Sequence, residues 1–357
     1  MKGNTKQHIK NVRRILTYIR DYDSITTYEL QKLTHYSNSN VAAIITELSS
    51  SEYIVGSAIA SGSVGRKTIA YSINPNKHFI IGIDFNTTGF LIVVTDLGGD
   101  SKLEKHAPLH QGMYKDDILN VLYQSLDQIF KIYSTDKIIH IGISVQANVD
   151  TPNGISKYLS AFADWENIPM QTILEERYHI PTILVHDTDC LMRTEKSFGV
   201  LKEKQINDAL LINFKKYGCG MSLLLNGQIY TGVHGYAGEI GRLILPSANG
   251  LNYICLDQIT NDIQKDASSL QAYFRQTTDL IGYLLVTVAN LFNPQCIIMY
   301  GDLFKHDPSL EDALYDLLKK YTYDKTLLLE FSNQQDNSAA IGAALYAADH
   351  VLNNIVI

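Results

Sequence analysis

The sequence predicts an α/β protein in two parts, a small basic head and a larger acidic body, and three observations carry that reading. Apolar residues recur at helical spacing in three short segments near the N-terminus, and a hairpin pattern follows them. Beyond residue 77, apolar runs of strand length are interspersed with amphipathic helices, as in a layered α/β body. Charge divides at the same place. Residues 1–77 carry ten Lys and Arg against five Asp and Glu, leaving +5; the remainder carries twenty against thirty-two, leaving −12, and the net is −7. A basic head on an acidic body confines contact with a polyanion to the head. The expected division is therefore 1–77 and 78–357.

The 357 residues suffice for two or three domains. No uncharged apolar run approaches the roughly 20 residues of a membrane span. The N-terminal Met1-Lys2-Gly3-Asn4-Thr5-Lys6 leads into a charged amphipathic segment, unlike a signal peptide. Four scattered cysteines (Cys190, Cys219, Cys255, Cys296) form no Cys-x-x-Cys pair and fit reduced thiols. The expectation is a cytoplasmic protein with no membrane partner.

In the head, Ile9, Val12, Ile15, Leu16 and Ile19 share one helical face, and Asp21-Tyr22-Asp23-Ser24 ends that helix. Thr26 with Glu29 is a capping-box pattern before Leu30 and Leu33. After a very short turn, Ser37 is a good N-cap for a third helix carrying Val41, Ile44, Ile45 and Leu48. Ser37, Asn38, Ser39 and Asn40 stand at its start, the end that meets base edges and phosphates in a helix-turn-helix. Tyr53-Ile54-Val55 and Thr68-Ile69-Ala70-Tyr71-Ser72-Ile73 read as a hairpin whose tip carries Gly65-Arg66-Lys67. A β-wing with adjacent cations after such helices predicts a winged helix-turn-helix, with Arg66 and Lys67 on DNA. A plain three-helix bundle is the bland alternative. Asn74-Pro75-Asn76-Lys77 reads as a linker.

In the body, Phe79–Asp84 and Phe90–Thr95 read as paired buried strands around Asp84-Phe85-Asn86-Thr87-Thr88. Residues 116–133 form an amphipathic helix, and Ile138–Val145 another buried strand. Further on, strand Ala209–Phe214, a glycine turn Gly218-Cys219-Gly220, strand Met221–Leu225 and the hairpin signal Asn226-Gly227 lead into Gly232-Val233-His234-Gly235-Tyr236-Ala237-Gly238-Glu239-Ile240-Gly241. Four glycines around one carboxylate make a plausible wall for a small ligand; a solvated surface loop is the alternative.

That order, ending in Gly-x-x-Gly-x-Ala-Gly-Glu-Ile-Gly, resembles the signature of the ROK family (repressors, open reading frames, sugar kinases), and the resemblance runs over nearly the whole chain. It implies a two-lobe actin-like, ribonuclease-H-like body with a sugar in the cleft. Ser63-Val64-Gly65-Arg66 resembles the Gly-Gly-Arg wing of the repressor branch, that of the xylose and N-acetylglucosamine repressors. Ile183-Leu184-Val185-His186-Asp187 resembles the segment holding the kinases' catalytic base, which falls on Asp187, while His186 replaces a sugar-holding Asn. Ser160-Ala161-Phe162-Ala163-Asp164-Trp165 keeps the family's Trp and puts Ala161 where a sugar-binding Asn stands.

The departures from the family are as informative. Asn86-Thr87 stands where the kinases' first phosphate turn has two glycines, and Phe214-Lys215-Lys216-Tyr217 interrupts the second. Side chains there obstruct close phosphate approach. The family's zinc ligands fall on Arg242, Ala248, Gly250 and Cys255, and one thiolate does not hold zinc. Asp257 takes the place of a sugar-binding Glu. Arg242 is expected to bridge toward Asp257, Glu239 or an anionic group of the ligand. Small residues at Ala339-Ala340-Ile341-Gly342-Ala343-Ala344 are expected to let helices pack closely.

The expected function is a sugar-responsive transcriptional repressor of carbohydrate-utilisation genes. It would bind operator DNA as a homo-oligomer, a dimer or tetramer, and its sensor body would be non-catalytic, without metal or cofactor. Ligand contacts fall on Asp187, Glu239, Asp257, His186 and Arg242. The alternatives are a working ROK sugar kinase with a DNA-binding head and a repressor with a vestigial pocket.

Overall fold

The computed structural model describes residues 2–59, 68–146, 148–159, 161–215, 218–246, 253–255, 270–301, 308–333 and 335–355. The chain divides into two compact units: Met1–Cys190 with Asn337–Ile357, and Leu191–Asp336.

The first unit begins with α1 (Lys2–Asp21), β1 (Ile25–Thr26), α2 (Thr27–Thr34) and α3 (Asn38–Ser50), then β2 (Ile54–Ile59) and β3 (Thr68–Ile73). Each helix end is fixed by its own sequence. Thr26 Oγ1 accepts from the Glu29 N–H while a Glu29 carboxylate oxygen accepts from the Thr26 N–H, so the capping box closes from both sides. His35, in the left-handed region at φ 59°, stops α2. The Ser37 hydroxyl then accepts from the Asn40 N–H to start α3. β3 lies between β1 and β2, both antiparallel to it. Val12, Ile15, Leu16, Ile19, Leu30, Val41, Ile44 and Leu48 form the buried core under these elements. Leu352 and Ile355, from the far end of the chain, belong to the same core.

Asn74–Lys77 was expected as a linker, and the structure pins it down. The Asn74 N–H donates to Tyr53 O, its side-chain amide donates to Glu52 O, and Lys77 pairs with Glu52. Asn and Pro favour turns as readily as flexible connections, so their presence alone does not make a loose tether.

The rest of the unit is built on a sheet of order β11-β7-β4-β5-β6. Its strands are β4 (Phe79–Asn86), β5 (Gly89–Asp96), β6 (Ser101–Pro108), β7 (Ile138–Val145) and β11 (Thr182–His186). β4, β7 and β11 are parallel neighbours; β5 and β6 add antiparallel. Between β6 and β7 runs α4 (Lys115–Ile132). Between β7 and β11 lie a small sheet of β8 (Asn148–Asp150), β9 (Ile155–Tyr158) and β10 (Glu166–Ile168), then α5 (Met170–Tyr178).

Alternate β4 residues serve two faces, because strand side chains alternate. Ile81, Ile83 and Phe85 pack with Ile118, Leu122, Leu126 and Ile129 of α4. Ile80 packs instead with Ala344, Ala347 and Ala348 of the C-terminal helix, and Leu91 and Val93 of β5 pack with Ala340.

The second unit starts within α6 (Asp187–Phe198), followed by α7 (Val200–Glu203). It carries a sheet of order β14-β13-β12-β17-β18, built from β12 (Ala209–Lys215), β13 (Gly218–Leu225), β14 (Gln228–Ile229), β17 (Cys296–Tyr300) and β18 (Leu328–Phe331). β15 (Ile244–Pro246) and β16 (Tyr253–Cys255) pair apart from it. α8 (Leu270–Phe292) and α9 (Pro308–Tyr321) cover the apolar core against Leu210, Ile212, Ile297 and Met299. The Asn226-Gly227 hairpin forms as expected, both residues at positive φ, with Leu225 opposite Gln228. Gly218-Cys219-Gly220, expected as a turn, is the first part of β13: Lys215 pairs with Gly218, Phe214 with Cys219 and Asn213 with Gly220. The pleat tolerates glycine wherever a neighbouring chain needs room. Residues 280–292, an apolar run of helical length, fall within α8, which begins ten residues earlier.

The chain then returns to the first unit through α10 (Ser338–Asn354), which lies on the sheet. A Cβ added at Gly82 would stand 2.0 Å from Ala340 O, and one at Gly142 2.0 Å from Ala343 O. The small residues of this helix were expected to let helices pack closely; Gly342 does so against Cys190 O of α6, and the same stretch also seats the helix on two strands.

At its far end, His140 Nε2 meets His350 Nδ1 at 2.8 Å, and His140 Nδ1 lies 3.1 Å from Ile141 O. A carbonyl only accepts, so Nδ1 of His140 carries the proton and Nε2 accepts from His350. Burial, aided by His350, lowers the His140 pKa to about 4. This group's contribution to stability is intact above pH 6.5 and drains away as pH falls toward 4, because only the unfolded chain takes up the proton in that window. The expected loss approaches about 3 kcal/mol. Urea titrations of the wild type and His140→Gln across that range should show a shallower pH slope in the variant.

Candidate ligand site at the strand ends and the glycine loop

The carboxyl ends of parallel strands are where open α/β sheets bind ligands. β4, β7 and β11 bring Asp84, Ser144 and His186 there, and Asp187 follows as the first residue of α6. Asp84 and Asp187 are both buried. The Ser144 hydroxyl donates to Asp84 Oδ1 at 2.8 Å, and the Asn86 amide donates to Asp84 Oδ2 at 2.9 Å. Asn86 Oδ1 in turn accepts from the Thr88 N–H (2.9 Å) and hydroxyl (2.7 Å). Asn86 therefore occupies the β4–β5 turn from inside. A side chain sits where a close anion approach needs bare backbone, and its amide satisfies the buried carboxylate.

Asp187 Oδ1 accepts from the Thr188 N–H at 2.8 Å, and His186 Nδ1 lies 3.1 Å from the same oxygen and 3.0 Å from the Thr188 hydroxyl. The positive end of α6 favours a carboxylate at that place. The sequence-predicted pair His186 and Asp187 thus forms one hydrogen-bonded group. Cys190, one turn on, is fully buried, and burial together with Asp189, Asp84 and Asp187 raises its pKa well above the usual thiol range. It is inert as a nucleophile.

Ser144 was not singled out by sequence; its signal is a hydroxyl near the end of an otherwise apolar strand. Glu195 was also missed. Burial raises its pKa, and its carboxylate accepts from the Val200 N–H and the Ser332 hydroxyl inside the second unit. Trp165 is a core residue, 1 % exposed, with its indole N–H donating to Ser156 Oγ and its ring edge-on to Phe85. Ala161 packs partly buried against the same cluster.

In the second unit the glycine loop is clamped to β13. The Met221 N–H donates to Gly238 O, and a Cβ at Gly238 (φ +88°) would stand 1.9 Å from Met221 O. Ile240 is buried in the unit's core and anchors the segment. Glu239 is half-buried beside it. Arg242 is exposed. Its backbone N–H donates to Glu239 O, but among the described residues its guanidinium forms no ion pair, so the expected bridge to Glu239 is not made. The 3₁₀ turn Ile240–Arg242 buries Ile240 and sends Arg242 outward. Asp257, Ala248 and Gly250 lie outside the described residues, as do Lys216, Arg66 and Lys67. The zinc donor set of Arg242, Ala248, Gly250 and Cys255 does not fit the metal on its chemistry.

At the start of α3, Ser37, Asn38 and Ser39 are exposed and Asn40 is half-buried. Ser37 and Ser39 hydroxyls are 3.1 Å apart, and Gln31 of α2 donates to Asn38 Oδ1 at 2.9 Å.

The family model described as "ROK family" matches residues 80–258 and 247–350. The chain belongs to the ROK family. Its curated relatives include a xylose repressor of Bacillus subtilis, 21 % identical over 97 % of this chain and 96 % of that protein. They also include an N-acetylglucosamine repressor of Escherichia coli O157:H7, 23 % identical over 97 % and 94 %. A solved ROK transcriptional regulator, a homologue of the E. coli MLC protein, superposes with TM-score 0.77 at 22 % identity, over 97 % of this chain and 98 % of that one. The ROK hexokinase of Thermus thermophilus superposes with TM-score 0.65 at 19 % identity, over 77 % of this chain and 100 % of its own. The fold is thus the mixed α/β ROK fold shared with this regulator and this hexokinase. Among the described residues no helix is long and apolar enough to cross a membrane.

Removing the Asn86 amide leaves a buried carboxylate one donor short. Asn86→Ala should cost about 1–3 kcal/mol, read as a lower midpoint in chemical unfolding; an unchanged midpoint would mean that Asp84 is satisfied without it.

Proposed function

We propose that this chain is a sugar-responsive transcriptional repressor, with residues 1–77 a winged helix-turn-helix head and 78–357 a non-catalytic sensor body of two actin-like lobes. One observation carries the reading: repressors and a transcriptional regulator of the family match over 97 % of the chain, whereas the kinase covers 77 %. In this reading α2 and α3 are the helix pair and β2–β3 the wing. Ser37, Asn38, Ser39 and Asn40 enter the major groove, and Arg66 and Lys67 meet phosphate or the minor groove. Two copies on a palindromic operator favour at least a dimer.

The proposed sugar or sugar-phosphate contacts are Asp187, His186, Glu239, Asp257 and Arg242. Relatives named for two different sugars leave the class, not the species, as the proposal. A ligand acts by favouring one arrangement of the heads over another. The non-catalytic reading rests on Asn86, whose inward hydrogen bonds occupy the turn that would cradle a phosphate. A protein of this kind works in the cytoplasm, where its DNA is.

Three experiments test this. With ATP, magnesium and a sugar panel, phosphorylation should not exceed background, and turnover abolished by Asp187→Asn would restore the kinase reading. In binding assays over a salt series, the Arg66→Ala/Lys67→Ala double variant should bind all DNA more weakly with a shallower salt slope. Unchanged affinity would remove the wing from the interface. Thermal-shift screening against sugars and their phosphates identifies the ligand through a raised melting temperature.

A further inference from the structure

The Gln31–Asn38 contact restricts what the head can read. An amide such as Asn38 has one acceptor oxygen and one NH₂ donor, and paired reading of adenine needs both. Here Gln31 donates to Asn38 Oδ1 at 2.9 Å, from α2 to the first residue of α3. One lone pair of that oxygen is used, which fixes the orientation of the amide, while its second lone pair and the NH₂ remain for a base edge. We infer that Gln31 is a specificity-determining positioning residue: it fixes the direction in which Asn38 presents its amide, and so the one base edge that Asn38 selects. This rests on the DNA-binding reading. Selection of bound sequences from random DNA should give one preferred base at one position of each half-site for the wild type. Gln31→Ala should relax the preference at that position alone, with an unchanged salt slope. An unchanged motif, or a uniform loss of affinity across sequences, overturns the inference. Failure of the wild type to select any sequence overturns the DNA-binding reading itself.

A separate set of contacts concerns how the sensor reaches the head. α10 is 17 residues long, about 25 Å at 1.5 Å per residue. Its first half lies against the segment that carries Asp187. A Cβ at Gly342 would stand 1.9 Å from Cys190 O, and Ala343 packs with Val185 and Cys190. The same turns seat on Gly82 and Gly142, two residues before Asp84 and Ser144. Its second half belongs to the head. Asp349 Oδ1 pairs with Arg20 Nη1 at 2.5 Å, the Arg20 side chain being 7 % exposed, and Leu352 and Ile355 complete the core with Ile15, Leu16 and Ile19.

Backbone-on-backbone contacts leave no rotamer to absorb a shift. A displacement of the first turn of α6 therefore moves α10 as a rigid rod, and packed elements respond by such discrete shifts. We propose that α10 is the transmission element between the ligand residues at the strand ends and the DNA-binding head, with Arg20–Asp349 as its coupling at the head. This too rests on the repressor reading.

Coupling is reciprocal, so DNA at the head must be felt at the strand ends. The test is hydrogen exchange on the full chain with and without the DNA selected above. In the wild type, DNA should change protection in α10 and in residues 187–191. In Asp349→Asn, and separately in Leu352→Ala, DNA affinity should stay within about threefold while the change at 187–191 disappears. Changes confined to residues 1–77 in the wild type, or a response at 187–191 that survives in both variants, overturn the proposal. Wild-type protein that binds no DNA overturns the reading beneath it.

Discussion

The contact on which the rest of the first unit depends is the seating of α10 on two glycines. Gly82 and Gly142 are neighbours on adjacent parallel strands, and each faces a helix carbonyl at a distance that leaves no space for a methyl group. A helix brought this close buries Ala340, Ala343, Ala344, Ala347 and Ala348 almost completely with very little side-chain volume. Alanine loses no rotamer freedom on burial, so the interface is cheap in entropy and unforgiving in shape. The opposite face of the same sheet follows another rule, with large aliphatic side chains of α4 filling the space. One sheet thus has a thick, compliant side and a thin, rigid side, and the candidate ligand residues stand at the end of the strands both sides share.

The polar groups at those strand ends are organised by the protein rather than left for a ligand to satisfy. Asp84 is buried and accepts from Ser144 and Asn86, and Asn86 also holds Thr88. A fully satisfied buried network specifies a unique local arrangement even where it does little for net stability. The resemblance to the family's kinases sets their first phosphate turn at the same place. Here the Asn86 amide spends its hydrogen-bonding capacity holding the turn shut.

Short-range features were the legible part of the fold. The Thr26–Glu29 capping box, the Ser37 cap and the Asn226-Gly227 hairpin each depend on residues a few positions apart, and each forms as its local chemistry dictates. The apolar run of β4 and the stripe on α4 were legible for the same reason. Gly218-Cys219-Gly220 was misread because glycine permits a turn without requiring one, and the pairing with β12 decided the matter. The seat of α10 was illegible, since it joins residues some 200 to 260 positions apart and its signal, single glycines inside strands, has other meanings. Of the candidate site, His186 and Asp187 were singled out by the resemblance of their segment to the one that holds the kinases' catalytic base. Ser144 was passed over because one hydroxyl in an apolar run carries no pattern. Arg242 was expected to reach Asp257, Glu239 or an anionic group of the ligand; Asp257 lies outside the described residues, and a turn that buries Ile240 leaves Arg242 exposed and unpaired with Glu239.

The sharing of one hydrophobic core between the two ends of the chain bears on the order in which the protein can be made. Domains generally fold as their residues leave the ribosome, N-terminal parts first. Here the head is translated before the body, yet Leu352 and Ile355, which finish its core, follow the body in the chain. The sheet that follows the head likewise waits for α10 to cover one face. A nascent or prematurely terminated chain therefore carries its helices and hairpin without the residues that close the core beneath them. The core beneath the head is closed only once α10 has been made.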